Sequence, residues 1–278
     1  NGVAASERMF RLLDLEIPPD GEEVLPAGAV SAEVRDLSFT YPGAENPALD
    51  GVTFDLGVGL ISVVGESGSG KSTIAAILSG ARHGYTGSVR IGGAELRTLS
   101  KASLRDRVTL VPHDGYVFSG SVAENLRMAN GEATDAELVG ALKRARLWDF
   151  FAEGDGLDTR LAERGANLSG GQRQRLCLAR ALLRHSDCYI FDEATSNIDT
   201  ESEGAIMEAI RALAETKTVL LITHRLANAA PSKMIYLLQG GRMIEAGTHG
   251  ELLSREGAYA RMYNRQTELE RYAGGAAL

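Results

Sequence analysis

Long hydrophobic runs are missing from this sequence. The chain of 278 residues is 44% hydrophobic and 24% charged, a composition typical of a globular protein. Its apolar runs, such as residues 60–64 and 234–238, are far shorter than the roughly 20 residues that a membrane-spanning helix needs. The N-terminus lacks a basic segment followed by an apolar stretch, so no secretory signal peptide is predicted. We therefore expect a chain that crosses no membrane and lies in the cytosol.

Cysteine and net positive charge are also lacking. Cys177 and Cys188 are the two cysteines, and neither CxxC nor Cys/His spacing surrounds them. We interpret both as small core residues, with no disulfide or metal site. The formal net charge is −8, which argues against general affinity for nucleic acid, because nonspecific binding depends on Lys and Arg that neutralise phosphates. No nucleic-acid partner is expected, although a local basic groove stays compatible with this charge.

Short apolar segments separated by helical patterns predict an α/β fold. Four segments look like strands that are buried on both faces, namely residues 60–64, 108–111, 188–191 and 219–222. Such strands predict a parallel sheet covered by helices. Three segments with more polar residues predict a smaller antiparallel sheet, namely residues 32–40, 52–56 and 88–91.

The sequence also divides into regions. A helix-like stretch at 8–15 is followed by two prolines and a glycine, which should end it. We predict a linker over 1–29, a globular domain over 30–272 and a flexible Gly- and Ala-rich tail over 273–278. From about 118 to 184 the spacing of apolar residues is helical, as in 136–147, and no convincing strand interrupts it. This region is predicted to be a helical subdomain inserted into the α/β core.

The sharpest motif is a glycine-rich loop between a predicted strand and a predicted helix. Residues 65–72 read Gly-Glu-Ser-Gly-Ser-Gly-Lys-Ser, which is a P-loop in the context that it requires. The glycines let backbone N–H groups face a phosphate chain, and Lys71 adds a cation beside the terminal phosphates. Ser72 is predicted to reach Mg²⁺. The predicted phosphate-binding residues are Gly65, Glu66, Ser67, Gly68, Ser69, Gly70, Lys71, Ser72 and Thr73.

A second acidic element follows an apolar strand at residues 188–193, which read Cys-Tyr-Ile-Phe-Asp-Glu. Asp192 is predicted on the metal side, and Glu193 is placed to polarise the attacking water as a general base. Alone, this hexapeptide is as well explained by an acidic strand end in solvent. The P-loop makes that alternative the less favoured one.

The segment Leu168-Ser169-Gly170-Gly171-Gln172 matches the LSGGQ motif, and with the P-loop it makes the chain closely resemble the ABC ATPases. Ser169 can cap the next helix, and the glycines permit close approach, which gives a second anion-binding helix N-terminus. A capped helix alone would explain Ser169 but not the two glycines and Gln172. The resemblance extends from about residue 30 to 263. It implies a P-loop NTPase (RecA-like) parallel core, an antiparallel β subdomain and an inserted α-helical subdomain.

This resemblance also implies ligands and partners. In the family, LSGGQ of one subunit closes over the γ-phosphate of ATP on the P-loop of the other, so two sites form across a head-to-tail dimer. The implied ligands are ATP and Mg²⁺, and the implied partner is a second ABC ATPase domain, identical or homologous. ATP binding would join the two domains and hydrolysis would let them part. The implied catalytic residues are Glu193, His224 and Lys71.

Other residues match further motifs of the ABC ATPase family. Tyr41 matches the aromatic residue that stacks on adenine, with an ordinary strand-end tyrosine as the alternative. His224 matches the switch histidine that contacts the γ-phosphate. Residues 196–199 match the loop through which the two sites communicate, with Asn197 and Ile198 where Ala and Leu are common.

His113 departs from the family, which usually has glutamine at this position to contact Mg²⁺ or water and to sense the membrane domain. Neutral histidine can accept a hydrogen bond or bind a metal, so His113 stays a candidate metal-side residue, although it is shorter and titratable. The exchange is compatible with an asymmetric heterodimer and equally with a tolerated substitution.

Residues 118–125 and the Glu163-Arg164-Gly165 segment resemble exporter-type domains. There Glu163 would lie near the coupling helices of the transmembrane domain, although a solvated charge explains it as well. The stretch at 8–15 resembles the connection from a last transmembrane helix, and Asn1 is an unusual natural start. The resemblance thus implies an exporter motor at the cytoplasmic face of the cell membrane, with a transmembrane permease domain fused in the full-length protein.

Three alternatives stay open. A soluble ABC ATPase of DNA or ribosome-associated processes would usually show long coiled coils or two cassettes. An importer ATPase subunit would lack the exporter-like N-terminal connection. An ATP-dependent structural clamp is disfavoured by the intact Glu193 and His224.

Overall fold

Strands and helices alternate along this computed structural model, which describes residues 20–196 and 198–275. The strands are β1 (Ala32–Phe39), β2 (Leu49–Leu56), β3 (Gly59–Val64), β4 (Thr86–Ile91), β5 (Ala94–Glu95), β6 (Val108–Val111), β7 (Gly120–Ser121), β8 (Arg160–Leu161), β9 (Cys188–Asp192), β10 (Thr218–Thr223), β11 (Met234–Gln239) and β12 (Arg242–Gly247). The α-helices are α1 (Lys71–Leu78), α2 (Lys101–Arg107), α3 (Val122–Arg127), α4 (Asp135–Arg144), α5 (Trp148–Ala152), α6 (Gly170–Leu183), α7 (Thr200–Ala214), α8 (Leu226–Ala229), α9 (His249–Ser254) and α10 (Ala258–Gly275).

Some predictions fall on residues outside those ranges. They are the helix-like stretch at 8–15, the first 19 residues of the linker, Asn197 and the last three residues of the tail. The division into linker, ATPase domain with helical subdomain, and tail stays a prediction. In the part of the chain that is described, no helix is both long and apolar enough to cross a membrane.

A six-stranded sheet with the order β12-β11-β3-β10-β9-β6 forms the centre of the fold. Five of its strands pair in parallel, and β12 pairs antiparallel with β11 at one edge. Both β3 and β10 are buried along their whole length. In β10, Val219 and Leu221 join the core with α6 and α7, whereas Leu220 and Ile222 join the core on the opposite face. The prediction of a parallel sheet buried on both faces is confirmed.

The smaller sheet has the order β2-β1-β4-β5 and is antiparallel throughout. Its apolar side chains, including Val34, Leu37 and Phe54, share a core with α1 and one face of the central sheet. Alternation of buried and exposed residues in β2 explains why its sequence contains more polar residues. The antiparallel sheet is therefore confirmed.

The segment between residues 118 and 184 contains α3 to α6 and also one small sheet. The two-residue strands β7 and β8 pair antiparallel, with Gly120 opposite Leu161 and Ser121 opposite Arg160. The expectation that no strand lies in this segment is therefore wrong. Strands of two residues are too short to show a period of two in the sequence.

Cys177 and Cys188 are both free and buried, as predicted. Burial raises the pKa of the Cys188 thiol to about 12 and also raises the pKa of Cys177. Since the thiolate is the reactive form, we expect neither thiol to react with Ellman's reagent in the native chain at neutral pH, and both to react in guanidinium chloride. Rapid native labelling of either cysteine would contradict this packing.

Candidate nucleotide site

The P-loop runs from the end of β3 to the start of α1, and close packing fixes its path. Gly65 has a φ of +155°, and a Cβ there would lie 2.1 Å from the carbonyl oxygen of Leu238. Gly70 precedes α1 with a φ of +106°, and its Cβ would lie 2.4 Å from the carbonyl oxygen of Ala48. Only glycine fits at both positions. The loop therefore packs tightly against the backbone at Leu238 and Ala48. Its own backbone N–H groups lie near the N-terminus of α1.

Lys71 is buried in this loop and bonded to its backbone. Its Nζ donates to the carbonyl oxygens of Gly65 and Glu66 at 2.9 and 2.7 Å. Burial lowers the pKa of Lys71, while the nearby Glu193 and Asp192 carboxylates oppose that shift. The ammonium group is thus held at the loop by neutral acceptors, which a phosphate could replace with stronger, charge-assisted bonds.

Ser69 gives direct evidence that the loop fits a ligand. Its Oγ is buried and has no hydrogen-bond partner in the described structure. A buried hydroxyl without a partner is costly and normally finds one. The Ser69 hydroxyl, next to Gly65 and Lys71, can therefore hydrogen-bond to a ligand, as expected in a phosphate-binding loop.

Ser72 and Asp192 lie together, although they are 120 positions apart in sequence. Ser72 Oγ donates to Asp192 Oδ1 at 3.1 Å. Burial raises the pKa of Asp192, and the hydrogen bond from Ser72 opposes this. The described residues contain no group of three or more His, Cys, Asp or Glu side chains that could hold a metal ion. One hydroxyl and one carboxylate suit Mg²⁺, which usually completes its shell with water and substrate phosphates.

Glu193 lies between Lys71 and His224. Its Oε1 is 3.9 Å from Lys71 Nζ, and its Oε2 is 3.4 Å from His224 Nδ1. Ser196 Oγ donates to the same Oε2 at 3.3 Å. The backbone of Glu193 has a φ of 51°, a left-handed conformation that is strained for a residue with a side chain. This left-handed turn comes directly after β9, and Glu193 contacts Lys71, His224 and Ser196 from there.

His113 approaches the same residue from another strand end. Its Nδ1 lies 3.2 Å from the backbone carbonyl oxygen of Glu193. The imidazole therefore contacts the backbone that holds the carboxylate, and it also lines the cavity beside Asp192.

Tyr41 follows β1 and contacts α1. Its hydroxyl is 3.1 Å from Thr73 Oγ1, and the Phe39 ring packs edge-on against it at 4.9 Å between centroids. Arg82 Cζ lies 5.2 Å from the centroid of the Tyr41 ring. Tyr41 as a whole residue is 38% exposed, so part of it is accessible to a ligand.

These side chains surround one open cavity of about 510 Å³, a volume typical of small-molecule sites. Its lining residues are Tyr41, Ala48, Ser67, Gly68, Gly70, Lys71, Ser72, Thr73, His113, Asp192 and Glu193. The cavity thus brings together Tyr41, His113, Asp192, Glu193 and six of the nine predicted phosphate-binding residues, whereas Gly65, Glu66, Ser69 and His224 do not line it. The LSGGQ segment does not line this cavity.

The LSGGQ segment begins α6 with a reciprocal cap. Ser169 Oγ accepts from Gln172 N at 3.1 Å, and Gln172 Oε1 accepts from Ser169 N at 2.8 Å. Both bonds together form a capping box. The interpretation that a capped helix leaves Gln172 unexplained is therefore wrong, because Gln172 is half of the cap. Ser169 is exposed and Gly170 half-buried, so both stay accessible.

Gly171 is required by packing within the chain. A Cβ at Gly171 would lie 2.2 Å from Ser202 Oγ and 2.8 Å from Asp199 Oδ2. Asp199 caps α7, because its Oδ1 accepts from Ser202 N at 2.8 Å. The start of α6 therefore lies directly against the start of α7, and this contact explains the second glycine of the motif.

This contact predicts opposite outcomes for two glycine substitutions. Gly171→Ala forces the Ser202 side chain to move, and we expect it to destabilise the chain by about 1–3 kcal/mol. Gly204→Ala is the control, because Gly204 is exposed within α7 and its Cβ would meet nothing within 4 Å. The control should stabilise by roughly 0.5–1 kcal/mol, since alanine favours helices. Urea unfolding measures both, and equal midpoints would contradict this packing.

Two contacts between distant residues have no counterpart among the sequence motifs. Arg82 near the Tyr41 ring is one, and another is Tyr116, whose hydroxyl donates to Glu163 Oε1 at 3.1 Å. Neither residue belongs to a recognisable motif, so no signal in the sequence could identify it.

The fold and this cavity define a P-loop ATPase. A model of the ABC transporter family matches residues 49–196, and the chain belongs to this family. It is an ATPase domain of the ABC transporter type and binds ATP. The family match confirms the resemblance to ABC ATPases and the predicted P-loop NTPase fold.

Two proteins and one solved structure match nearly the whole chain. An uncharacterized ABC transporter ATP-binding protein from Haemophilus influenzae is 43% identical over 273 residues, which are 97% of this chain and 49% of that protein. An ATP-dependent lipid A-core flippase from Photobacterium profundum is 41% identical over 269 residues, which are 95% of this chain and 46% of that protein. A solved structure of a bacterial Atm1-family ABC exporter with ATP bound matches with a TM-score of 0.87 and 35% identity, over 95% of this chain and 47% of that one. The chain therefore spans about half the length of these relatives.

Proposed function

We propose that the chain is the ATP-hydrolysing motor domain of an ABC exporter, which dimerises head-to-tail around ATP and Mg²⁺ to drive transport across a membrane. The observation that carries this proposal is the position of Glu193, between Lys71 and His224 and beside the Ser72–Asp192 pair. Similarity to a lipid A-core flippase and to an Atm1-family exporter supports the export direction.

The residues in and beside the cavity have distinct roles in this proposal. Lys71 and the P-loop amides bind the phosphates, and Tyr41 stacks on the adenine. Ser72 and Asp192 hold Mg²⁺, which offsets phosphate charge when it is bound. Glu193 takes the proton from the attacking water, and His224 orients Glu193 and contacts the γ-phosphate.

His113 keeps a narrower role. Its contact with the Glu193 backbone supports a function in positioning that residue, and it lines the same cavity as Asp192, which keeps it a candidate metal-side residue. Its ring nitrogen would replace the amide of the usual family glutamine there. Whether the partner subunit carries a histidine or a glutamine distinguishes a homodimer from an asymmetric pair.

The first proposed partner is a second ABC ATPase domain, because the LSGGQ segment does not line the nucleotide cavity of its own chain. Ser169 and Gly170 are accessible at the N-terminus of α6 but do not line the cavity. In a head-to-tail dimer they would face the ATP of the partner, and Gln172 would hold Ser169 in its capped conformation.

A transmembrane permease domain is the other proposed partner, and it places the motor at the cytoplasmic face of the membrane. A groove of about 300 Å³ with mainly apolar lining lies between α6 and the segment around Tyr116. Tyr116, Phe118 and Met128 are exposed along it, and Glu163 is bonded to Tyr116. An apolar groove of this kind suits a helix from another domain.

The other functions gain less support. A DNA- or ribosome-associated ATPase and an importer subunit share the ATP site but not the similarity to exporters over 95% of the chain. A noncatalytic clamp would not need Glu193 at this position.

Hydrolysis of ATP by the wild-type chain at increasing protein concentration tests the proposal. Turnover per chain should rise with concentration, because a complete site needs two chains, and EDTA should stop it by removing Mg²⁺. Turnover that is independent of concentration would contradict the shared site. A chain that binds ATP but never hydrolyses it would contradict the motor function.

A further inference from the structure

The segment that carries His224 is fixed on one side by α7. Glu203 is buried in α7, and its carboxylate accepts from Arg225 Nη1 at 2.5 Å and from Asn228 Nδ2 at 2.6 Å. Arg225 N also donates to Thr223 Oγ1 at 3.0 Å. These bonds hold the residues around His224 but not the backbone carbonyl of His224 itself.

On the other side, a single glutamine of α10 bonds that carbonyl. Gln266 Nε2 donates to the backbone oxygen of His224 at 2.5 Å, and Gln266 Oε1 accepts from Leu226 N at 3.0 Å. Arg225, at the N-cap of α8, provides no side-chain cap. The Gln266 amide therefore satisfies an N–H at the start of α8 that would otherwise lack a partner. Only one orientation of the amide can make both bonds, because a carbonyl needs a donor and an N–H needs an acceptor.

The helix that carries Gln266 is itself firmly anchored. Tyr259 of α10 is buried in a core that includes Val64, the residue before the P-loop, and Leu226 of α8. At the start of α10, Glu245 accepts from the backbone N–H groups of Ala258 and Tyr259 at 2.5 and 3.2 Å. The position of Gln266 is thus fixed relative to both the P-loop strand and the His224 segment.

We propose that Gln266 is a positioning residue for ATP hydrolysis, which holds the His224 backbone so that the imidazole faces Glu193. This inference rests on the proposed function, in which His224 acts on Glu193 and the γ-phosphate. The His224 side chain is 46% exposed, and its Nδ1 lies 3.4 Å from Glu193 Oε2. Few contacts hold the ring directly, so the backbone determines where it lies.

Two variants separate the bond to His224 from the helix cap. Gln266→Leu removes both hydrogen bonds. Gln266→Glu keeps an acceptor for Leu226 N but places a carboxylate against the His224 carbonyl, where no donor remains. We expect kcat to fall roughly tenfold in both variants, because small displacements of a catalytic group are costly. The KM for ATP should stay within about twofold, since the P-loop is untouched.

The matched control is Asn264→Leu, at an exposed position on the same helix, and it should keep wild-type kcat. Thermal unfolding should show that Gln266→Glu retains more stability than Gln266→Leu without recovering kcat. A merely structural role predicts the opposite, that kcat recovers together with stability.

A double-mutant cycle with His224→Ala completes the test, using radiolabelled ATP to measure low rates. If Gln266 acts through His224, Gln266→Leu causes no further loss in the His224→Ala chain. An equal loss in both backgrounds, or wild-type kcat in Gln266→Leu, would overturn the inference while leaving the proposed function intact. An inactive wild-type chain that still binds ATP would instead overturn the proposed function, and this inference with it.

Discussion

We expect Glu193→Gln to lower ATP turnover by about 10³-fold, within the range for loss of a general base. The amide has nearly the same shape but cannot accept a proton from water at neutral pH. Lys71, Ser72 and Asp192 are unchanged, so ATP and Mg²⁺ still bind. Because the γ-phosphate is no longer removed, the variant should accumulate as an ATP-dependent dimer, which size-exclusion chromatography with light scattering detects.

The control for this variant is Glu201→Gln, which removes a carboxylate exposed on α7 and should turn over ATP like the wild type. If Glu193→Gln retained wild-type turnover, Glu193 would not be the base. If it lost turnover without forming a dimer, the shared ATP site would need another explanation.

Lys71→Met has the second large effect, on binding rather than on chemistry. In the wild-type chain, the Lys71 ammonium can leave the loop carbonyls and bind the phosphates of ATP. Methionine has no charge for this contact, so we expect ATP affinity to fall about 10²-fold. Fluorescent nucleotide titration measures this loss. Lys143→Met, at an exposed position on α4, is the control and should bind ATP normally.

Stability distinguishes this loss of binding from misfolding. Burial lowers the pKa of Lys71 in the folded chain, so its charge opposes folding below that pKa, and the penalty disappears as pH rises toward the unfolded value. Methionine removes the penalty but leaves the Gly65 and Glu66 carbonyls without their donor. These effects oppose each other, and the free energy of unfolding should change by less than about 1 kcal/mol. A large loss of stability would contradict a role confined to the ligand.

Sequence predicted the fold where burial leaves a clear pattern. The strands β3 and β10 are buried on both faces, and most of their positions are apolar, with Ser62, Thr218 and Thr223 as buried polar exceptions. The two-residue strands β7 and β8 were missed, because pairing of so few residues depends on the surrounding chain. The cap at Ser169 was predicted from residue type, whereas its partner Gln172 was not recognised as part of the cap.

The site was predictable where chemistry is local in sequence. The P-loop and the Asp192-Glu193 pair are short motifs whose residues act side by side. The left-handed backbone of Glu193 and the bond from Gln266 to His224 have no such signal. They arise only when separate strand ends and a distant helix are brought to one edge of the sheet.

Mixing two inactive variants tests the central claim, a site shared between two chains, most directly. Ser169→Arg blocks LSGGQ, and Glu193→Gln removes the base, so each chain alone should be almost inactive. Mixed before ATP is added, they form heterodimers in which one composite site has both an intact base and an intact LSGGQ segment. We expect recovery to about a quarter of wild-type turnover, because half of the dimers carry one working site of two. A mixture as inactive as its components would contradict a site formed across the dimer.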